Sequence, residues 1–290
     1  MKQQKSFQKQ DEIGSLYLIP TPIGNLEDMT FRAVRLLNEV DTIFAEDTRQ
    51  TRKLCTHFDI TAPMDSYHEH NKEIKEEKMI ALMLQGKNIA LVSDAGMPLL
   101  SDPGREIVQR CIKENVPVIP LPGANAALTS LSASGLGGGP FYFYGFLPRK
   151  KKERGLVLEE LSYMEAPLIF YEAPHRLKET VKHAAEVWGE RKAVLARELT
   201  KKYEEFLRGT LPEIKDYLDV NQIKGECCLI VEGGSADGQE KTPWWEEFDI
   251  SSHVNAYMKG GMSSKEAIKL AAKDRGVPKR EVYAVYHEIE

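Results

Sequence analysis

The sequence predicts an α/β fold with two α/β domains, followed by a small helical domain. Short apolar runs alternate with amphipathic stretches along most of the 290 residues, which is typical of strands alternating with helices. The stretch 135–140 (GLGGGP) interrupts this pattern, because three consecutive glycines continue a helix only at a high cost in entropy. The polar segment 233–242, rich in Gly, Ser and Asp, is typical of a linker. These features predict a disordered tail at 1–14, α/β domains at 15–136 and 140–234, a linker at 235–243 and a helical domain at 244–290.

The first domain is expected to alternate strands with helices and therefore to form a mostly parallel sheet. Its strands are expected at 15–20, 41–47, 64–67, 88–94 and 116–121. Its helices are expected at 30–38, 48–58, 71–86, 103–115 and 127–134. Thr48 is predicted to cap the second of these helices, and Gly86 is predicted as the C-cap of the third.

Residues 88–104 (NIALVSDAGMPLLSDPG) contain the most informative loop of this domain. The run Asn88–Asp94 is typical of a buried strand, and Asp102 and Pro103 fit the N-cap and first position of the next helix. In an open parallel sheet, ligands bind just beyond the carboxyl ends of the strands. The turn Asp94–Pro98 is therefore expected to present a carboxylate and backbone amides to a ligand. An ordinary strand-to-helix turn is the alternative interpretation.

The rest of the chain is predicted to form a second α/β unit and a helical tail. Strands are expected at 141–146, 167–171, 192–197, 204–208 and 226–231, and helices at 153–164, 172–188 and 212–218. In the tail, helices are expected at 263–275 and 279–289, on either side of a break at Gly276–Pro278. This arrangement resembles a helix-turn-helix, and a small helical cap on an enzyme is an equal alternative.

Composition restricts the class of protein. The chain is 42% hydrophobic and 29% charged, which is ordinary for a globular protein. No apolar run is long enough to span a membrane and the polar start does not resemble a signal peptide, so a cytoplasmic protein is expected. The net charge of −5 means that a polyanion would have to bind to local basic patches. The four cysteines form no C-x-x-C pair and are expected to be buried, so no metal site is predicted.

The sequence motifs of several common enzyme classes are absent. No strand is followed by G-x-G-x-x-G, and neither a P-loop, a G-x-S-x-G nor an H-E-x-x-H motif occurs. What remains is a set of loops at the carboxyl ends of predicted strands, namely 21–28, 46–49, 94–98, 122–126 and 172–176. Their small residues allow close approach of the backbone to a ligand, which suits an adenosine-like molecule better than a triphosphate.

Six motifs in order resemble one family. They are PTPIGNLED, AEDTR, SDAGMPLLSDPG, PLPGANAAL, FYEAPHR and GECCLIVEG. Together they are similar to the tetrapyrrole-methylase superfamily of S-adenosylmethionine-dependent methyltransferases and, within it, to the ribosomal RNA small-subunit methyltransferase I family. The similarity covers about 16–233, and the tail also resembles the C-terminal helical domain of that family. The usual G-D-P of the superfamily is replaced here by SDAGMP at 93–98, a variation that fits the RNA branch.

The resemblance implies a homodimer of two-domain chains, each with S-adenosylmethionine in the cleft between its α/β domains. It also implies methylation of the ribose 2′-hydroxyl of a decoding-centre cytidine in small-subunit (16S) ribosomal RNA, either free or in the assembled subunit. The residues implied to contact the cofactor are Pro22, Gly24, Asp94, Ala95, Gly96, Met97, Pro98, Asn125, Ala126, Tyr171, Glu172, Ala196, Cys227 and Cys228.

Methyl transfer to a hydroxyl requires orientation of the reactants and an acceptor for the hydroxyl proton. A positioned base typically contributes ~10²–10⁴-fold to such a reaction. The candidate bases are Glu46, Asp47, Glu172, His175 and Lys201. Asp47 also fits a helix cap, His175 a helix start, and Lys201 a solvated side chain or phosphate contact. Glu172 is the preferred candidate, because it ends a strand beside residues implied to bind the cofactor.

The run 149–154 (RKKKER) is the strongest basic cluster. Its cations, predicted to lie in a loop near the cleft, are Arg149, Lys150, Lys151, Lys152 and Arg154. Contact with RNA phosphates through such a cluster would depend strongly on salt concentration. A solvated loop is the alternative interpretation.

Two other functions remain open from the sequence. A methyltransferase that acts on a tetrapyrrole would share the fold, although the SDAGMP variation disfavours it. A non-catalytic regulator that binds nucleic acid through the helical tail would not bind S-adenosylmethionine at all, so cofactor binding separates it from both enzymes.

Overall fold

The computed structural model describes residues 3–6, 12–234, 245, 248–259 and 262–287. The chain divides into two compact units, Met1–Gly234 and Ser235–Glu290. The linker predicted at 235–243 lies outside the described residues, as do parts of the predicted tail and the end of the last predicted helix. The first unit contains two five-stranded sheets, which agrees with the predicted pair of α/β modules.

The first sheet is entirely parallel, as the alternation of strands and helices predicts. Its strands are β1 (Leu16–Ile19), β2 (Thr42–Ala45), β3 (Met64–Ser66), β4 (Ile89–Val92) and β5 (Val118–Pro120), in the order β3-β2-β4-β1-β5. Its helices are α1 (Phe31–Glu39), α2 (Thr48–His57), α3 (Lys72–Leu84), α4 (Arg105–Glu114) and α5 (Ala126–Ser134). The central strand, β4, is buried at every position because neighbouring strands and helices cover it. The loop that follows β4 therefore opens at the middle of the carboxyl edge of the sheet.

The helix after β4 begins later than the sequence predicts. Gly104 is the N-cap of α4, so the prediction of Asp102 as cap and Pro103 as first helical residue is wrong. The backbone explains the difference, because Leu99 and Ser101 have left-handed φ values of +72° and +70° and Gly104 has a φ of +134°. Residues 93–104, the β4–α4 loop, consequently form a longer connection than the sequence predicts.

Two other helix ends also differ from the predictions. Asp47 rather than Thr48 caps α2, because its Oδ1 accepts a hydrogen bond of 2.8 Å from the backbone N–H of Arg49. The C-cap of α3 is Gln85, and Gly86 follows it with a φ of +84°. A glycine in this position commonly terminates a helix, so the predicted end is displaced by one residue.

The second sheet is mixed, in the order β6-β7-β10-β8-β9. Its strands are β6 (Tyr142–Phe146), β7 (Leu168–Glu172), β8 (Lys192–Arg197), β9 (Glu205–Thr210) and β10 (Cys227–Val231). Its helices are α6 (Lys151–Leu161), α7 (Pro174–Trp188) and α8 (Leu211–Val220). Only β6 and β7 pair in parallel, because β8 and β9 are joined by a short loop and β10 inserts antiparallel between β7 and β8.

A shared apolar cluster joins the two sheets. Ile23 and Leu131 from the first sheet and its helices pack with Ile169, Val194 and Cys228 from the second. All five side chains are less than 10% exposed. Burial of this apolar surface holds both sheets in one compact unit, with a cleft between their edges.

The second unit contains the helices α9 (Ile250–Lys259), α10 (Ser264–Arg275) and α11 (Lys279–His287). They pack around Val254, Ile268 and Val282, each at most 1% exposed. A capping box between Ser263 and Glu266 starts α10, and Gly276 ends it with a φ of +66°. Helix α9 was not among the predicted elements, although Ile250, Val254 and Tyr257 have the spacing of one helix face. In the described part of the chain, no helix is both long and apolar enough to cross a membrane.

Candidate active site

A cavity of about 420 Å³ lies between the carboxyl edge of the first sheet and the second sheet. It receives residues from the loops after β1, β2, β4 and β5 and from β7 and β10. The predicted site residues that line it are Glu46, Asp94, Ala95, Gly96, Met97, Asn125, Ala126, Tyr171, Glu172, Cys227 and Cys228. The topology therefore brings together residues from motifs that are far apart in the sequence.

Seven of the predicted cofactor residues and candidate bases do not line this cavity: Pro22, Gly24, Asp47, Pro98, His175, Ala196 and Lys201. The lining also contains residues that the sequence analysis did not select. They are Ile23, Leu100, Ser101, Asp102, Phe146, Ala173, Pro174, Leu199 and Glu226. Asp102 lies in the SDPG end of the motif SDAGMPLLSDPG. Its fit to a helix cap gave no indication that it lines the cavity.

The turn at Asp94–Gly96 is held by a small network of backbone bonds. Gly96 and Thr21 exchange hydrogen bonds of 2.9 and 3.0 Å, and the Ser93 hydroxyl donates to the Gly96 carbonyl at 2.9 Å. Gly96 has a φ of +81°, and a Cβ there would lie 3.3 Å from Cγ2 of Ile23. Glycine is thus required both by the backbone conformation and by the close approach of the loop after β1.

The opposite wall is formed where α5 meets β7. Asn125 caps α5 by accepting a hydrogen bond of 2.9 Å from the backbone N–H of Leu128. The Tyr171 hydroxyl accepts one of 3.2 Å from the backbone N–H of Ala127. Burial, together with the nearby thiol of Cys228, raises the pKa of Tyr171 to about 12, so this phenol stays neutral at physiological pH.

The first sheet contributes three carboxylates to the cavity. The backbone N–H of Asp47 donates to Oδ1 of Asp94 at 3.0 Å, which joins the loops after β2 and β4. Burial and the neighbouring charge of Asp94 raise the pKa of Glu46. Burial, followed by the charges of Glu46 and Asp94, raises the pKa of Asp102 to about 7. The charge of Asp94 therefore raises the pKa of both other carboxyl groups.

The second sheet contributes Glu172 and Glu226, which makes five carboxylates in the lining. No lysine, arginine or histidine lines the cavity within the described chain. The site is therefore strongly acidic, although it is mostly apolar elsewhere. An acidic cavity of this kind favours a cationic ligand and disfavours one that carries several negative charges.

The preferred candidate base, Glu172, is held in a dense set of contacts. Its side chain is 2% exposed, and its two oxygens accept hydrogen bonds from the Ala173 N–H at 2.9 Å and the Thr180 hydroxyl at 2.7 Å. Nε of Arg176 lies 3.3 Å from Oε1. These contacts occupy both carboxylate oxygens and fix the start of α7, so the geometry does not favour Glu172 as a proton acceptor.

Asp47 and Lys201 are also engaged in charge pairs. Hydrogen bonds from Arg49 lower the pKa of Asp47 to about 2, which makes this carboxylate a weak base. Nζ of Lys201 lies 3.0 Å from Glu198 and 3.1 Å from Glu226. Partial burial would lower the pKa of Lys201, but these hydrogen bonds raise it, so the ammonium does not accept a proton. His175, the fifth candidate, is exposed on α7 and does not line the cavity.

The basic run does not form the predicted loop, because Lys151–Arg154 are the first residues of α6. Arg154 points inward and is 4% exposed, and its Nε donates to Nδ1 of His183 at 3.3 Å. The prediction that Arg154 is available to RNA is therefore wrong. The remaining cations of the run, Arg149–Lys152, are exposed, and Lys150 pairs with Glu153 at 2.8 Å.

A family model described as tetrapyrrole (corrin/porphyrin) methylases matches residues 15–215. The chain is 56% identical over 288 residues to the ribosomal RNA small subunit methyltransferase I of Bacillus subtilis (strain 168), a match that covers 99% of both chains. It is 45% identical over 289 residues to the protein of the same name in Streptococcus pyogenes serotype M1, across both complete chains. The chain belongs to the ribosomal RNA small subunit methyltransferase I family. This confirms the resemblance and the prediction of a methyltransferase that uses S-adenosylmethionine.

Solved structures support the fold at much lower sequence identity. A diphthine synthase has a TM-score of 0.58 at 12% identity, over 76% of this chain and 90% of the other. A uroporphyrin-III C-methyl transferase from Thermus thermophilus, complexed with S-adenyl homocysteine, has a TM-score of 0.53 at 19% identity, over 76% of this chain and 97% of the other. These similarities confirm the predicted fold class.

The cavity suits the cofactor of this family. Its volume of about 420 Å³ lies within the usual range for small-molecule sites. S-adenosylmethionine carries a sulfonium and an ammonium group, which the acidic lining complements. The backbone of Asp94–Gly96, the N-terminus of α5 and the apolar side chains of Ile23 and Leu199 would hold it. When bound, it supplies an electrophilic methyl group. In the described residues, no group of three or more His, Cys, Asp or Glu side chains is placed to hold a metal ion.

Proposed function

We propose that this protein methylates the ribose 2′-hydroxyl of a decoding-centre cytidine in small-subunit ribosomal RNA, with S-adenosylmethionine as methyl donor. The named relatives support the choice of RNA. The observation that carries the proposal is the acidic cavity at the carboxyl edge of the first sheet. It accepts a cationic methyl donor, and its carboxylates offer acceptors for the proton of a hydroxyl.

The cysteines support a ribose rather than a base carbon as methyl acceptor. Enzymes that activate a base carbon through a covalent intermediate require a reactive thiolate. Cys227 and Cys228 are 5% and 3% exposed, and burial raises the pKa of each thiol to about 12. Both thiols stay protonated at physiological pH, so neither is an effective nucleophile.

Contacts with the RNA backbone are proposed outside the cavity, since the carboxylates inside it repel phosphates. Lys151 and Lys152 are exposed at the start of α6. Arg52 and Lys53 are exposed on α2, which begins two residues after Glu46 of the cavity wall. These two basic surfaces are suited to hold the RNA backbone on either side of the reacting nucleotide.

The cavity also bears on the alternative of a tetrapyrrole substrate. Biological porphyrinoids carry several carboxylates, which need cationic partners when they are buried. The five carboxylates and the lack of basic side chains in the described lining disfavour such a ligand. A ribose hydroxyl carries no charge and encounters no such barrier.

The proposal includes a homodimer in the cytoplasm, where ribosomal RNA is assembled. Strand β6 lies at an edge of the second sheet; its first residue, Tyr142, is 39% exposed and the preceding Phe141 is 44% exposed. Exposed aromatic residues of this kind are enriched at protein interfaces. Light scattering after size-exclusion chromatography is expected to give twice the chain mass of 32.8 kDa, whereas a mass of one chain would refute the dimer.

Transfer of a labelled methyl group tests the proposed acceptor atom. Purified protein is incubated with tritiated S-adenosylmethionine and small subunits from a strain that lacks the enzyme, and the RNA is then digested to nucleosides. We expect the label in 2′-O-methylcytidine. Label that stays with the free base after cleavage of the glycosidic bond would refute a ribose acceptor.

A further inference from the structure

Asp102 occupies a position in the cavity that the family assignment leaves without a role. We propose that Asp102 accepts the proton of the ribose 2′-hydroxyl during methyl transfer, an inference that rests on the function proposed above.

Three of the five carboxylates are already engaged. Glu172 accepts hydrogen bonds from Thr180 and the backbone at 2.7 and 2.9 Å, and Glu226 pairs with Lys201 at 3.1 Å. Asp94 accepts the bond from the loop after β2. Within the described part of the chain, neither Asp102 nor Glu46 has a hydrogen-bonding or ion-pair partner in the structure. These two carboxylates are therefore the ones with both oxygens available to a substrate.

The β4–α4 loop holds Asp102 in the cleft rather than at its outer rim. Ser101, directly before Asp102, has a φ of +70°, which is unfavourable for a residue with a Cβ. Gly104, two residues after Asp102, has a φ of +134°, which glycine adopts without strain. The Ser101 hydroxyl lies only 2.8 Å from the position that a Cβ would take on Gly145, so the loop touches β6 of the second sheet. Backbone strain of this kind persists where surrounding contacts enforce it, and it is common at functional sites.

The charges around Asp102 allow it to gain and lose a proton near neutral pH. It faces Glu46 from the loop after β2, Asp94 from the end of β4 and the phenol of Tyr171 from β7. Burial and the two carboxylates raise the pKa of Asp102 to about 7, well above its usual range. A base with such a pKa is largely available at physiological pH and binds a proton more strongly than an ordinary aspartate. Tyr171 stays neutral and does not compete for the proton.

The proposed step is balanced without any further reactant. The hydroxyl oxygen forms a bond to the methyl carbon while the bond between that carbon and sulfur breaks, and its electron pair remains on sulfur. The hydroxyl proton passes to Asp102 in the same step. Asp102 then releases the proton to solvent when the methylated RNA leaves.

The test compares wild type with Asp102→Asn, which preserves size but removes the base. Single-turnover methylation of small subunits is measured from pH 5.5 to 9. The wild-type rate should fall below an apparent pKa near 7, and Asp102→Asn should be slower by about 100-fold or more and lose this dependence. Calorimetry should give affinities for S-adenosylmethionine within about threefold of wild type. Glu114→Gln, an exposed change at the end of α4, is the matched control and should behave as wild type.

A measurement on the free protein supports or refutes the proposal independently of activity. With carbon-13 in the aspartate carboxyl groups, one resonance should titrate with a pKa near 7 and disappear in Asp102→Asn. Glu46→Gln should move that titration, and the acid limb of the rate profile, to lower pH. If Asp102→Asn does not fold, the response of both profiles to Glu46→Gln decides the question.

Three results would overturn the inference. A wild-type rate and pH profile in Asp102→Asn would mean that another group takes the proton. A loss of more than tenfold in cofactor affinity would mean that Asp102 binds the cofactor instead. An aspartate resonance near the ordinary pKa would remove the physical basis of the assignment. If wild type itself fails to label ribose, the proposed function fails, and this result is distinct from the other three.

Discussion

Replacement of Gly96 by valine should distort the turn that forms one wall of the cavity. The backbone conformation, with a φ of +81°, costs a residue with a Cβ about 1–2 kcal/mol. The new Cβ would lie 3.3 Å from Cγ2 of Ile23 and 3.6 Å from the carbonyl oxygen of Ala124. The two methyl groups of valine extend further into these neighbours, and overpacking of this kind costs about 1–3 kcal/mol.

The two effects together should lower the free energy of unfolding by about 2–5 kcal/mol. If the turn moves away from Thr21 and Ile23, the backbone groups of Asp94–Gly96 no longer face the ligand. We expect affinity for S-adenosylmethionine to fall at least ~10-fold, which corresponds to about 1.4 kcal/mol. The matched control is Gly96→Ala, which has the same backbone penalty without the branched methyl groups and should be affected less.

Denaturant unfolding and calorimetry with S-adenosylmethionine measure the two expected losses. Both variants are compared with wild type at the same temperature and salt concentration. If folded Gly96→Val binds S-adenosylmethionine with wild-type affinity, the turn at Asp94–Gly96 does not contribute to the cofactor site, and the reasoning from this loop is refuted.

Three further predictions concern the RNA surface, the second unit and the buried carboxylate. Replacing Lys150, Lys151 and Lys152 by alanine should weaken RNA binding and flatten the slope of log affinity against log salt by up to ~3, with cofactor affinity unchanged. An unaltered slope would mean that these lysines do not contact RNA phosphates. Truncation after Gly234 should leave a folded, cofactor-binding protein with reduced RNA methylation, because the first unit has its own core. Normal methylation would exclude a substrate role for α9–α11. Glu172→Ala should destabilise the protein by about 3–5 kcal/mol in denaturant unfolding, since it leaves Arg176 and Thr180 without their partner; a loss below 1 kcal/mol would contradict this structural role.

The sequence predicted most strands and the sheet edge at which the cavity lies, because these depend on local apolar patterns and on a general rule of parallel sheets. The turn at Asp94–Gly96 is an example, since Ser, Asp and Gly after an apolar run leave few alternatives. The burial of Cys227 and Cys228 followed in the same way from their position in an apolar strand.

Other features depend on tertiary contacts that no local pattern contains. The position of Asp102 depends on left-handed backbone conformations at Leu99 and Ser101, which leucine and serine rarely adopt. Arg154 turns inward because the first turn of α6 packs on α7, so a run of similar charges divides into exposed and buried members. The contacts of Glu172 with Thr180 and Arg176 occupy its oxygens and disfavour it as a base, but no local sequence pattern indicates them.

We propose above that this chain places a methyl group on a ribose of small-subunit ribosomal RNA. The most direct measurement is methyl mapping of that RNA by alkaline cleavage and mass spectrometry in a deletion strain, with and without the wild-type gene restored. A 2′-O-methyl group blocks cleavage of the adjacent phosphodiester, because the neighbouring nucleophile is lost. We expect one alkali-resistant cytidine in the decoding centre, which disappears on deletion and returns with the gene. An unchanged pattern of ribose methylation in the deletion strain would contradict it.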